Sequence, residues 1–121
     1  MAEAVVGIGI DITEVNRLRK AMEKWGNSFS ERIFTQSELA LAATKVNKYQ
    51  HLAGRFAAKE AIFKAAGDAK IGFKDIEIFN DKAGRPYCKF RNGKGKNIAV
   101  SVSISHVKTY AVANAIATQK T

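Results

Sequence analysis

Residues 50–67 read QHLAGRFAAKEAIFKAAG, and this stretch has the periodicity of one long helix. Wound as a helix, its apolar side chains form a single stripe made up of Tyr49, Leu52, Ala53, Phe56 and Phe63. Glu60 falls inside that stripe, about 40° from Phe56 at roughly 100° per residue. A carboxylate on an apolar face is costly unless a cation or hydrogen bonds compensate it. We therefore expect a positive charge at Glu60, either Lys64 one turn on or a metal ion as well.

A strand is predicted upstream, over residues 5–12, where the side chains alternate between two faces. One face is fully apolar, and the other carries only Val5, Gly7, Gly9 and Asp11. Glycine weakens a strand, so its presence here indicates that another backbone or a ligand approaches closely. Asp11 is then the only side chain on this cleared face that could take part in chemistry.

The remaining pattern predicts an α+β fold, in which a small antiparallel sheet packs against the long central helix and shorter helices. We expect helices over residues 13–24, in a pair within 28–43, and over 47–66, where Gly67 ends the last one. Residues 76–79 and 87–91 read as a hairpin, and two further alternating strands follow Ile98 and Tyr110. Asp11-x-x-Glu14 and Thr35-x-x-Glu38 are both typical of capping boxes. At 121 residues, the chain (1–121) is expected to be a single domain.

Composition restricts the classes of function. Twenty Lys and Arg against eleven Asp and Glu give a formal charge of +9, which indicates an anionic partner such as nucleic acid, a phosphorylated cofactor, an acidic protein or an anionic membrane. Cys88 is the only cysteine, so a disulfide framework or a zinc cluster is excluded and a reducing cytoplasm is expected. The apolar runs are too short for membrane insertion, and no signal peptide pattern precedes the first strand.

Asp11, Glu60 and Lys64 permit two interpretations. Two carboxylates suit Mg²⁺, which takes one or two protein carboxylates together with phosphate oxygens and waters, and a neighbouring lysine suits a phosphate or a leaving group. The plainer interpretation makes Asp11 an N-cap and Glu60–Lys64 a surface pair worth roughly 0.2–0.5 kcal/mol. Spacing alone leaves both open.

Three segments carry a resemblance to a known family. GIGIDITEVNR at residues 7–17, LAGRFAAKEAIFKA at 52–65 and VSISH at 102–106 occur in the order found in the holo-acyl-carrier-protein synthases. These are the small, single-repeat 4′-phosphopantetheinyl transferases. The resemblance spans nearly the whole chain, and its middle segment is the most specific. It implies the 4′-phosphopantetheinyl transferase fold.

The resemblance also implies an activity. The family transfers the phosphopantetheine arm of coenzyme A, its substrate, to a serine of apo-acyl carrier protein and releases adenosine 3′,5′-bisphosphate. Asp11 and Glu60 match its Mg²⁺ ligands, and Lys64 matches the lysine near the coenzyme A phosphates, so these three are the expected catalytic residues. The group that removes the serine proton, a metal-bound water or a carboxylate such as Glu60, is left open.

Further coenzyme A contacts are implied by the same resemblance. Arg55 and the Ser105-His106 pair match positions near the adenosine and its 3′-phosphate. Gly84-Arg85-Pro86 resembles the turn that lies against this nucleotide, although a simple hairpin bend would also explain it. Lys45 and Lys48, which precede the middle segment, receive no assignment.

The resemblance has consequences for partners and assembly. Arg17 matches a residue that docks the acidic carrier protein, and the small synthases are homotrimers with sites between protomers, acting in cytoplasmic fatty-acid biosynthesis. The alanine-lined face of the last two strands suits either packing between protomers or packing within one chain. A rival from another class is a small basic nucleic-acid-binding module, which would use the net charge, Trp25 and residues 94–96. It leaves Asp11 and Glu60 unexplained.

Overall fold

A computed structural model describes residues 4–120. The elements in chain order are β1 (Val5–Glu14), α1 (Val15–Trp25), α2 (Asn27–Ile33), α3 (Gln36–Ala43), α4 (Lys48–Ala66), a 3₁₀ turn (Phe73–Asp75), β2 (Ile76–Asn80), β3 (Pro86–Phe90), β4 (Ile98–His106) and β5 (Tyr110–Gln119). This is the predicted α+β arrangement. The expected single sheet is in fact two antiparallel sheets, a three-stranded sheet in the order β1-β5-β4 and the hairpin β2-β3.

The backbone of helix α4 lies directly against the backbone of β1 in the three-stranded sheet, and two glycines of β1 make this close contact possible. A Cβ atom on Gly7 would lie 2.0 Å from the carbonyl oxygen of Ala65, and one on Gly9 would lie 1.9 Å from that of Ala61. Any larger residue at either position would push the helix off the strand. The close approach predicted from the glycines of β1 is therefore an approach of helix backbone.

The alanines of β5 complete this contact from the neighbouring strand. All four are at most 2% exposed and pack in the cores under α4: Ala111, Ala113, Ala115 and Ala117. Of the two explanations left open for the alanine face, packing within the chain is the one observed. On β4 the inward side chains are the larger Val100, Val102 and Ile104, while its serines point outward.

The apolar face of β1 points away from the core. Ile8, Ile10 and Ile12 are 63–70% exposed, and the register places them beside Ile116, Asn114 and Val112 of β5 respectively. We call this surface the outer sheet face. Exposed aliphatic rows of this kind usually mark an interaction surface.

Helix ends differ from expectation at one of the two predicted capping boxes. Thr35 and Glu38 form a complete capping box at the start of α3, as predicted. Asp11 and Glu14 do not, because β1 continues through Glu14 in register with Tyr110, and Glu14 makes no side-chain cap on α1. Pairing with β5 has taken the residues that a local cap would have used. Gly67, at φ 63°, ends α4 as predicted.

A buried ion pair connects α4 to four other elements, namely α2, α3, the 3₁₀ turn and β2. Lys59 is 0% and Glu38 2% exposed, and the Lys59 Nζ lies 2.7 Å from Glu38 Oε1. Lys59 also donates to the carbonyls of Ile33 (2.8 Å) and Phe73 (3.1 Å), and the amide of Ile78 donates to Glu38. Removing one partner of such a pair costs about 3–5 kcal/mol, so this pair fixes α2, α3 and β2 against α4.

Within residues 4–120, no helix has both the length and the apolar character needed to cross a membrane.

Candidate active site

A cavity of about 640 Å³ lies between α1, the end of β1 and α4. Its lining includes Asp11, Glu60 and Arg17, together with the rings of Phe56 and Tyr110. We call it the acid cavity. The two carboxylates singled out from the sequence thus share one space.

The glycine contacts explain how Asp11 reaches Glu60. Gly7 faces Ala65 and Gly9 faces Ala61, so two residues of strand correspond to about one turn of α4, as the rises of about 3.3 Å and 1.5 Å per residue require. Asp11 is the next residue on this face of β1. It therefore lies beside the next turn of α4 toward the N-terminus, residues 57–60, and Glu60 is the last residue of that turn. The position of Asp11 is therefore set by backbone contact along β1.

The helical spacing pairs Lys64 with Glu60, but the structure pairs Lys64 with Asp11 of β1. Its Nζ lies 3.5 Å from Asp11 Oδ1 and donates to the carbonyl of Ile10 at 2.8 Å. Thr13 donates to the other carboxylate oxygen of Asp11 at 3.1 Å. Within the described chain, the ion pair of Lys64 is with Asp11, so the surface Glu60–Lys64 pair of the plainer interpretation does not form.

The electrostatics of the acid cavity leave Glu60 in need of a cation. Burial raises the pKa of Glu60, the nearby Asp11 carboxylate raises it further, and Lys64 offsets this only in part. A divalent cation would relieve both the burial cost and the repulsion. Two carboxylates also match the donor set that Mg²⁺ accepts when phosphate oxygens complete its coordination. No cluster of three or more His, Cys, Asp or Glu suited to a metal occurs in residues 4–120. The two carboxylates would leave the remaining coordination positions of Mg²⁺ to waters and substrate oxygens.

A second cavity, of about 600 Å³, lies on the other side of α4, between α3, the β2-β3 hairpin and the end of β4. Lys45, His51, Arg55 and His106 line it, and we call it the basic cavity. Its only lining acid in the described chain is Glu38, which the buried pair with Lys59 already engages. The basic cavity therefore has an excess of donors and positive charge suited to an anion.

Arg55 is held rigidly at the floor of the basic cavity. It is 4% exposed, its Nη2 donates to Asn80 Oδ1, and its Nε has no hydrogen-bond partner. Burial lowers the pKa of Arg55, and the Glu38 carboxylate opposes that shift. Asn80 also donates to the carbonyl of Gly84 at 3.0 Å, which ties the hairpin turn to Arg55.

Comparison with known proteins identifies the family. The model of the 4′-phosphopantetheinyl transferase superfamily matches residues 7–115. The chain belongs to this superfamily. It is 42% identical over 120 residues to the holo-[acyl-carrier-protein] synthase of Ruminiclostridium cellulolyticum, covering 90% of this chain and 89% of that one. It is 46% identical over 118 residues to the synthase of Oceanobacillus iheyensis, covering 93% and 95%.

A solved structure in the same superfamily has the same fold. The holo-(acyl-carrier-protein) synthase of Bacillus anthracis, crystallised with CoA (3′,5′-ADP), superimposes with a TM-score of 0.82 at 39% identity. The match covers 96% of this chain and 98% of that one. The family and the fold expected from the three sequence segments are both confirmed.

The transferase residues expected around coenzyme A do not all meet in one place. Gly84 and Pro86 line the basic cavity with Arg55 and His106. Arg85 lines an adjoining space of about 460 Å³ between β3 and β4, which shares Pro86 and Ile104 with the basic cavity. Ser105 is exposed on the outer sheet face, in register with Val112.

The acid and basic cavities of this transferase chain have no lining residue in common. Asp11, Glu60 and Arg17 belong to the first, and Arg55 and His106 belong to the second. Successive residues on a helix point about 100° apart, which is why the neighbours Arg55 and Phe56 face different cavities. One chain therefore places the expected metal ligands and the expected adenosine contacts in two separate cavities.

Sequence reasoning missed two residues of the basic cavity. Lys45 lines it, whereas Lys48 lines a different surface groove, a distinction that sequence position alone could not make. His51 also lines it and was given no role. A signal for His51 was present, because it precedes Arg55 by four residues and so occupies the same face of α4.

Proposed function

We propose that this chain transfers the 4′-phosphopantetheine group of coenzyme A to a serine of apo-acyl carrier protein, in a Mg²⁺-dependent reaction that releases adenosine 3′,5′-bisphosphate. The observation that carries the proposal is the acid cavity, where Asp11 and Glu60 meet within a chain of this superfamily. The relatives named holo-[acyl-carrier-protein] synthase and their complexes with coenzyme A give the donor and the acceptor.

Asp11 and Glu60 are the residues that would hold the metal. Bound there with the coenzyme A pyrophosphate, Mg²⁺ supplies charge neutralisation on the attacked phosphoryl group and on the departing bisphosphate. Thr13 fixes one oxygen of Asp11, and the packing of α4 on Gly7 and Gly9 fixes the distance between strand and helix. The chain thus holds both carboxylates in place before substrate arrives.

Lys64 has a position suited to the phosphates rather than to structure. Its side chain is 55% exposed. Lys64 is not itself a lining residue of the acid cavity, but its contacts with the lining residue Asp11 and with the Ile10 carbonyl hold its ammonium beside that cavity. From there it can bind a pyrophosphate oxygen or donate a proton to the leaving phosphate.

The transfer forms one bond from the serine oxygen to phosphorus and breaks one phosphoanhydride bond. The serine proton leaves to a base, and the electron pair of the broken bond departs with adenosine 3′,5′-bisphosphate. The chain supplies positioning and electrostatic stabilisation, which account for most of the catalysis of phosphoryl transfer. Arg55 and His106 would hold the adenosine end in this scheme, with the turn at Gly84–Pro86 beside it.

We also propose a homotrimer with sites between protomers. Two observations support it: the acid and basic cavities are separate on one chain, and the outer sheet face exposes Ile8, Ile10 and Ile12. Covering this face with second and third copies would bury the aliphatic rows and could bring one protomer's acid cavity to its neighbour's basic cavity. Ser105, on the same face, would then lie near the shared site.

Docking of the acidic carrier protein is assigned to Arg17. Arg17 is exposed on α1 and lines the acid cavity, so a carrier bound there would present its serine toward Asp11 and Glu60. The surplus of positive charge would steer both anionic substrates to the protein. We further propose that residues 1–121 form a single domain and that the enzyme acts in the cytoplasm, where its carrier serves fatty-acid biosynthesis or polyketide synthesis.

The test is a mass measurement on the acceptor. Apo-acyl carrier protein, coenzyme A and Mg²⁺ are incubated with the protein, and the carrier is weighed by mass spectrometry. A mass increase equal to one phosphopantetheine group is expected, and it should disappear when Mg²⁺ is chelated or when the carrier serine is replaced by alanine. An unmodified carrier under all conditions would refute the proposal, and steeply salt-dependent binding of nucleic acid would then favour the rival module.

A further inference from the structure

His51 is a half-buried histidine of the basic cavity, and one of its two ring nitrogens has no hydrogen-bond partner within the described chain. It lies on α4, one turn before Arg55, and lines the cavity. Its Nε2 is buried and makes no hydrogen bond within the described chain. A buried polar atom without a partner is unfavourable, so a ligand that offered this nitrogen a hydrogen bond would be stabilised.

Positive groups surround this imidazole from three elements. Lys45 approaches from the loop before α4, Arg55 from α4 itself, and His106 from the end of β4. On the remaining side, α3 contributes Glu38, whose oxygens accept hydrogen bonds from Lys59, the Thr35 amide and the Ile78 amide. No uncommitted acid among the described lining residues is left to balance a proton on His51.

The surroundings of the ring therefore keep it neutral. Burial, then Arg55, Lys45 and His106 in that order, lower the pKa of His51 from 6.5 to about 4. A dianion placed among the same groups would oppose their repulsion of a proton and would accept a hydrogen bond from the protonated ring. These two interactions act against the cost of burying the charged ring, so the anion favours its protonation.

We propose that His51 is a ligand of the 3′-phosphate of coenzyme A, and that its imidazole takes up one proton from solvent when this phosphomonoester enters the basic cavity. The inference rests on the proposed function, which brings coenzyme A to this protein. The proton is released again when adenosine 3′,5′-bisphosphate leaves. His51 acts here in binding and in product release, with no bond made or broken at the ring.

Proton NMR of the histidine rings tests the proposal directly on the wild-type protein. The chain has two histidines, so His106→Gln assigns the two sets of resonances. The measurement is made near pH 7.5, where a phosphomonoester with a second pKa of about 6 is already a dianion. Adenosine 3′,5′-bisphosphate should move the His51 resonance to the position of an imidazolium. Adenosine 5′-monophosphate, which lacks the 3′-phosphate, should leave it neutral.

Calorimetry gives an independent measure of the same proton. Binding of coenzyme A is measured in two buffers that differ in ionisation enthalpy, and the difference gives the number of protons taken up. We expect uptake approaching one proton for wild type and for the exposed control Lys120→Gln, and none for His51→Gln or for 3′-dephospho-coenzyme A. Equal uptake by His51→Gln and wild type, or no uptake by wild type, would overturn the proposal.

Kinetics separates a binding role from a structural one. His51→Gln keeps a donor but cannot gain a proton, so the preference for coenzyme A over 3′-dephospho-coenzyme A should fall about tenfold, through KM, at unchanged kcat. An equal loss with both substrates would mean a merely structural role and would overturn the inference. Normal transfer to the carrier with an unchanged His51 resonance would refute this inference alone. Failure of wild type to bind coenzyme A at all would refute it together with the proposed function.

Discussion

The acid and basic cavities are built on the same helix and have opposite electrostatic requirements. In the acid cavity, Glu60 and Asp11 repel each other, and Lys64 compensates them only in part. In the basic cavity, burial lowers the pKa of His51, and Arg55, Lys45 and His106 lower it further, so the ring is neutral. Each cavity lacks the charge that the other has in excess, so each is suited to a different part of one ligand, a metal-bound pyrophosphate in the first and a phosphomonoester in the second.

This difference is the basis for the proposal that the complete site needs two protomers. The α4 residues of the two cavities lie on different faces of the helix, and the cavities share no lining residue. A single ligand that uses both would have to cross the helix within one chain. Placing the acid cavity of one copy beside the basic cavity of the next avoids this, and the exposed aliphatic rows of β1 provide a surface for such contact.

The largest expected effect is the loss of the acid cavity's charge. Glu60→Gln should lower kcat about 1,000-fold, because it removes electrostatic stabilisation of the transferring group. Since the folded protein raises the pKa of Glu60, the unfolded state binds fewer protons there, and this carboxylate destabilises the metal-free fold as pH rises through its pKa. The variant should therefore melt no lower than wild type near neutral pH.

Thermal melts with and without Mg²⁺ and a coenzyme A pyrophosphate analogue check this prediction. Mg²⁺ should raise the Tm of wild type and leave that of Glu60→Gln unchanged, and Asp11→Ala should behave as Glu60→Gln does. Glu31→Gln, at an exposed position on α2, is the matched control. Near-normal turnover in either acid variant would remove it as a metal ligand.

Mixing two defective proteins tests the division of the site between protomers. Glu60→Gln retains a basic cavity, and Lys45→Ala/His106→Ala retains an acid cavity. After the two are unfolded and refolded together in equal amounts, about a quarter of the sites in random trimers should combine two intact halves. Activity at limiting coenzyme A should recover to that fraction of wild type. Activity no higher than the sum of the two separate proteins would place each complete site within one chain.

Lys64→Ala should slow the chemical step more than it weakens coenzyme A binding. The expected loss is roughly 100-fold in kcat, because a proton donor or phosphate contact is removed beside the acid cavity. Single-turnover rates measured beside the coenzyme A dissociation constant separate the two effects, with Lys120→Ala as the exposed control. A large change in affinity at unchanged rate would reduce Lys64 to an anchor.

Arg17→Glu should act on the protein substrate alone. Reversing a charge at the rim of the acid cavity should raise the KM for the acidic carrier about tenfold, mainly through slower association, and leave the KM for coenzyme A unchanged. Steady-state kinetics at varied carrier and varied salt measures this, with Lys120→Glu as the matched reversal. An unchanged carrier KM would remove Arg17 from the docking surface.

The smallest effect is an acid-side slope in stability. Because the pKa of His51 falls from 6.5 to about 4 on folding, the unfolded state binds more protons between these values. The free protein should therefore lose stability as pH falls through that window. His51→Gln should flatten the slope, as measured by urea unfolding at several pH values. Parallel slopes for the two proteins would mean that His51 titrates normally.

Much of the fold was predictable because the signals were local. The periodicity of residues 50–67, the stop at Gly67 and the Thr35–Glu38 capping box depend on residues within a few positions of one another. The predicted Asp11–Glu14 capping box was wrong because of a non-local interaction, the pairing of β1 with β5 through Glu14. The buried Lys59–Glu38 pair was missed for the same reason. Lysine and glutamate are seldom buried, and only the packing of distant elements makes an exception of these two.

The amino-acid sequence alone was enough to recognise the family, to assign helices and strands, and to select Asp11 and Glu60 as candidate metal ligands. The order of motifs and the alternation of apolar residues can be read directly from neighbouring residues. The tertiary structure decided which ionisable groups lie next to each other. It pairs Lys64 with Asp11 and Lys59 with Glu38, and it places His51 near Arg55, Lys45 and His106. It also decided that the aliphatic face of β1 points outward. Charges and apolar faces act through space over a few ångströms, and those distances exist only after α4 has packed on the glycines of β1.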